Sequence, residues 1–140
     1  MFIKYGFLAD TVTLDASGKA SAIGIFEIIY TQGFPMVHRD MSLFVHFEGT
    51  IAEKGDHKFS VELRDRDGNR LMPVFEPTVK IANPPGLHDI AAGGLLLKLM
   101  DVPFKKAGQY EFVIFTEGRF VGRVTFSVQK IVIAPPVQDA

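Results

Sequence analysis

The chain of 140 residues has no cysteine. Disulfide frameworks, thiolate zinc sites and thiol nucleophiles are excluded together, and the absence fits a reducing compartment. Nor is there a surplus of one charge: 15 Lys and Arg are scattered among 16 Asp and Glu, with no basic stripe to draw a phosphate backbone. A nucleic-acid partner is not expected. No apolar run approaches the roughly 18 residues of a membrane span, the longest candidates being residues 23–30 and 95–97. Around the first ten residues the apolar positions are broken by Lys4 and Gly6, so the continuous apolar region of a signal peptide is missing. A cytoplasmic protein without a membrane partner is the expectation. Internal repeats and low-complexity segments are also lacking.

What the sequence does have is apolar bulk, 47% of residues with 13 phenylalanines among them, enough for a sizeable core in one unit. One domain over residues 1–134 is expected, with residues 135–140 as a tail in which Pro135 and Pro136 end any pairing. Two apolar-rich runs, 5–14 and 20–30, flank the turn formers Asp15, Ala16, Ser17, Gly18 and Lys19 and read as a first hairpin. Residues 22–30 are apolar on both parities, which predicts a central strand buried on both faces. Met41, Leu43, Val45 and Phe47 alternate as a third strand. Phe59, Val61 and Leu63 alternate as the next, ending in a strong turn at residues 65–69. Its partner over residues 71–75 is demoted to an edge or irregular strand by Pro73 and Pro77. Residues 79–90 read as loop with a possible short strand at 79–81, and the leucine-rich 95–100 reads as strand, with helix as the alternative.

The most strongly patterned stretch is residues 108–128. Tyr110, Phe112 and Ile114 form one even-numbered apolar set, and Phe120, Val124, Phe126 and Val128 another, so opposed residues must sum to an even number. A two-residue turn at Glu117-Gly118 gives an odd sum. A three-residue loop, 116–118, closed by Phe115 and Arg119 gives an even one and sets Ile114 against Phe120, Phe112 against Gly122 and Glu111 against Arg123. It also places Gly118 where a left-handed residue is needed. Eight or nine such strands, with turns every 8–12 residues or so, predict an all-β, two-sheet antiparallel sandwich.

Gly108-Gln109-Tyr110, a glycine two residues before a tyrosine opening the penultimate strand, resembles the tyrosine corner of immunoglobulin-like sandwiches, with an ordinary core tyrosine as the alternative. The cysteine pair and core tryptophan of antibody domains are missing. More widely, Leu8-Ala9-Asp10, Gly18-Lys19, residues 23–30, Phe34-Pro35, His38, residues 108–112 and Val121-Gly122 resemble a bacterial family known only as a domain of unknown function. The resemblance spans nearly the whole chain and is thinnest between residues 74 and 95. It implies an immunoglobulin-like sandwich and a bacterial source, and brings no catalytic residues.

No reaction centre is legible. His38, His46, His57 and His88 lack the close spacing of metal ligands, so neither a metal nor another cofactor is expected. Asp65, Asp67 and Asn69 around Gly68 resemble a calcium loop, but a turn is the better reading. Ser17-Gly18-Lys19 lacks the frame of a phosphate-binding loop. Asp10, Asp15 and Glu27 share one hairpin and read as solvated strand ends. A non-enzymatic protein-binding or assembly module is therefore the expected function. The alternatives are a small-ligand protein or enzyme using carboxylates and histidines assembled by the fold, and a structural homo-oligomer. The candidate partner surface is the hairpin face left over from the core, Val113, Phe115 and Val121, with Val113 and Val121 paired. Coverage by residues 131–133 competes with contact to a protein partner or a second copy.

Overall fold

The computed structural model describes residues 1–132, so the expected domain end at 134 and the tail 135–140 lie outside the described residues. The strands, in chain order, are β1 (Phe2–Leu14), β2 (Ala20–Phe26), β3 (Ile28–Thr31), β4 (Met36–Thr50), β5 (Gly55–Asp65), β6 (Thr78–Ile81), β7 (Ile90–Phe104), β8 (Gly108–Thr116) and β9 (Arg119–Lys130). A single 3-10 turn, Ile51–Glu53, follows β4. They form a four-stranded sheet, β2-β1-β4-β7, and a five-stranded sheet, β3-β9-β8-β5-β6.

Alternation puts one parity of each strand between the sheets. Met41, Leu43, Val45 and Phe47 of β4 are sealed against Phe59, Val61 and Leu63 of β5 and Phe112, Ile114, Val124, Phe126 and Val128 of the β8–β9 hairpin. Phe47 meets Phe59 with ring centroids 4.5 Å apart, and Phe104 meets Tyr110 edge-on at 4.9 Å. The Tyr110 hydroxyl donates to the Lys106 carbonyl four residues upstream, which satisfies the one polar atom of a buried ring.

Two expectations are corrected, and a third, the strand at residues 95–100, is met and lengthened. Residues 22–30 are not one central strand: the chain leaves the four-stranded sheet at Glu27 and joins the other, β2 pairing antiparallel with β1 and β3 parallel with β9. Both parities are apolar because the segment serves two sheets, and it is an edge of each. The β8–β9 loop has two residues, Glu117 and Gly118, both left-handed (φ 51° and 76°), with Thr116 opposite Arg119. Parity is restored by a bulge at Val121, after which Ile114 faces Gly122, Phe112 faces Val124 and Tyr110 faces Phe126. The even sum was required by the core, and the chain meets it with a bulge instead of a longer loop. Finally, residues 90–104 are one long strand, β7, in which Pro103 is tolerated because the strand lies at the sheet edge. The short strand at 79–81 is present as β6, and residues 70–75 touch β5 only at single bridges.

Candidate interaction surfaces

On the outer face of the five-stranded sheet the expected patch is rearranged by the bulge. Val113 lies opposite Arg123, not Val121, and is only 3% exposed. Val121 packs against the main core. Phe115 stays on the outer face and meets Phe120 at 5.9 Å, with the Arg64 guanidinium over Phe115 and that of Arg123 over Phe120. Arg123 is held by Glu111 at 3.3 Å, diagonally and not directly across. One cationic plane thus lies over each ring, and Phe120 stays half exposed. Ile131 donates its amide to the Thr31 carbonyl at the end of β3 and Val132 is exposed; Ile133 lies outside the described residues.

The larger apolar surface was not anticipated. On the outer face of the four-stranded sheet, Phe7, Phe44 and Leu96 form one row across β1, β4 and β7, and Tyr5 and His46 the row beside it. Phe44 is buried by its neighbours even though it faces away from the core, with Phe7 at 5.7 Å and Tyr5 at 6.1 Å. Tyr5 and His46 stack at 5.0 Å and 11°. Burial, and after it the Lys4 ammonium, lower the His46 pKa from its ordinary 6.5. The face continues onto β2 through Ala9 opposite Ile25 and, past Gly24, Val12 opposite Ala22, with Ala9, Val12 and Ala22 packed in one cluster with Phe44; Ile25 is 61% exposed, and Ile23, opposite Thr11 on the other parity, 72%. Even-numbered apolar residues of β4 and β7 interleaved with the odd core set carried the signal. It is weak in the sequence because Ser42, His46, Gly94 and Lys98 break the run.

Beyond Ile23 and Ile25 the sheet ends, because β2 has β1 on one side only. Gly24 has φ 71°, and a Cβ there would fall 2.3 Å from an Asp10 carboxylate oxygen.

The remaining polar candidates are dispersed. Asp15 accepts from the Ser17 hydroxyl and the Ser17 and Lys19 amides, which lowers its pKa, so it caps the β1–β2 turn. Asp65 does the same work in its own turn, accepting from the Asp67 and Asn69 amides at 2.9 Å. His57 sits against the Glu53 carbonyl and 3.3 Å from Glu117, far along the fold from His46 on the opposite sheet. Among the described residues no three of His, Asp and Glu converge on a common point. A shallow groove of about 570 Å³ beside β9 is lined by Glu27, Arg66, Glu111 and Arg123 together with Ile28 and Phe126, with both charges present.

Among the described residues no helix is long and apolar enough to cross a membrane. A family described as being of unknown function, DUF6941, matches residues 4–129. No curated protein matches the sequence.

Proposed function

The chain belongs to that family of unknown function, and from its own geometry we propose that it is a non-enzymatic protein-binding or assembly module on an immunoglobulin-like sandwich of a bacterial, cytoplasmic protein. The observation that carries the reading is the outer face of the four-stranded sheet. A contiguous apolar surface on a folded domain marks an interaction site far more often than single exposed residues do. Here Tyr5, Phe7, Phe44, Leu96, Ala22 and Ile25 run across all four strands to an open edge. The Tyr110–Lys106 bond, with Gly108 at the strand start, supports the immunoglobulin-like assignment. The absence of cysteine supports the compartment. Phe115 and Phe120, under their two arginines, are the smaller candidate contact, with Val113 and Val121 behind them.

Immobilised wild-type protein, Ile25→Lys and Phe115→Lys, each exposed to a bacterial lysate and read by mass spectrometry, test the reading. The expected result is a retained protein, or further copies of this chain, lost with Ile25→Lys and kept with Phe115→Lys. Identical retention by all three removes the four-stranded face as the binding surface.

A further inference from the structure

We infer that the partner of the β2 edge is the β2 edge of a second copy, so that two four-stranded sheets join into one continuous sheet across a twofold axis. This rests on the binding-module reading and adds to it the partner and the register.

An edge strand presents unpaired N–H and C=O groups, and folded proteins normally guard such edges with charge, proline, shortness or a covering element. The other edges here are guarded. Strand β7 carries Lys98, Asp101 and Pro103 and is bridged to the far sheet by Ala82 and Ala92, and β3 and β6 have only four residues each. Strand β2 has seven residues, Ala-Ser-Ala-Ile-Gly-Ile-Phe, with no charge and no proline. Its only irregularity is the Gly24 twist.

Charge selects the occupant. Strand β2 is flanked by Lys19 at its start and Glu27 at its end, both exposed, and neither is in an ion pair among the described residues. In an antiparallel pairing of two copies, opposed residues have a constant sum. The register that sets Ile23 against Ile23 of the other copy also sets Lys19 against Glu27, twice, by symmetry. It leaves Ser21 opposite Ile25 and Ala22 opposite Gly24, so no like charges meet and no bulky pair crowds the twisted glycine. Ile23 then meets its own counterpart across the axis, while Ala22 and Ile25 bring the apolar outer surface of each copy up to the seam.

Sedimentation equilibrium of the whole chain tests this with three variants, circular dichroism confirming that each is folded. The wild type is expected to be a dimer. Ile23→Lys, at a position pointing into solvent, is expected to be monomeric. Glu27→Lys sets lysine against lysine at both ends and is expected to weaken the dimer by about tenfold, two lost surface pairs plus their repulsion. Lys19→Glu combined with Glu27→Lys is expected to restore wild-type affinity. A monomeric wild type overturns the inference, as does a dimer that survives Ile23→Lys. A double variant no tighter than Glu27→Lys alone overturns the register. A monomeric wild type that still retains a foreign protein through Ile25 sinks self-pairing and leaves the binding-module reading standing.

Discussion

Phe112 is closed off from solvent and stacks on Phe126 at 5.7 Å, midway along the hairpin that supplies the floor of the core. Truncating such a ring loses its transfer free energy and leaves a cavity that β-strands on both sides cannot close. Phe112→Ala is expected to cost about 3–5 kcal/mol, read as a lower urea midpoint at unchanged slope. His46 acts through its proton. Its folded pKa lies below 6.5, so the unfolded chain takes up a proton first as pH falls. The stability it contributes is fully present above 6.5 and is lost as pH drops toward the folded value. The fall in urea midpoint on acidifying through 6.5 is expected to be shallower in His46→Gln than in the wild type. An equal fall in both shows that other groups carry the slope.

At the scale of elements, the β8–β9 turn and the β2 edge each depend on left-handed residues. Glu117 and Gly118 are both left-handed, as a two-residue hairpin of the favoured twist requires. A Cβ at Gly118 meets nothing within 4 Å, so Gly118→Val is expected to cost only the backbone term, about 1–2 kcal/mol. Glu117→Asn is expected to raise the melting temperature, because asparagine tolerates this conformation better than glutamate. A three-residue loop would show no such gain. Gly24→Ala adds to the same backbone term a collision with the Asp10 carboxylate, and is expected to destabilise more than Gly118→Ala does in parallel melts.

These two elements also mark where the sequence was legible. Strands β4, β5, β8 and β9 follow from alternation, since Leu43, Phe59, Phe112 and Phe126 each head an apolar parity that only a core can satisfy. Hairpin parity was legible for the same reason. The bulge at Val121 was not, because a longer loop and a tight turn plus bulge satisfy the same parity. The open edge at Ile23 and Ile25 was hidden by its own hydrophobicity, which matches that of a buried strand; only the crossing at Glu27 distinguishes them.

On the scale of the whole molecule, stability comes from apolar burial between two sheets, with no converging ligand set among the described residues. Adding a chelator is expected to leave the melting temperature unchanged, since a metal bound only to the folded state would raise it. A clear drop would reveal a metal held by residues these contacts do not show.

The crossing from β2 to β3 has a consequence in time. Ile28 pairs with Ser127, so the parallel ladder closes a loop of about 100 residues, near the long end of what a domain this size can offer. The ribosome delivers the two partners about 100 residues apart. Until β9 emerges, the early segment has β1 beside half of it and nothing beside the rest. Long-range pairing of this kind makes folding slow and places it in the millisecond-to-second range. Strand β3 therefore stays unaccompanied until β9 is made, and a chaperone that holds the nascent chain would engage it there.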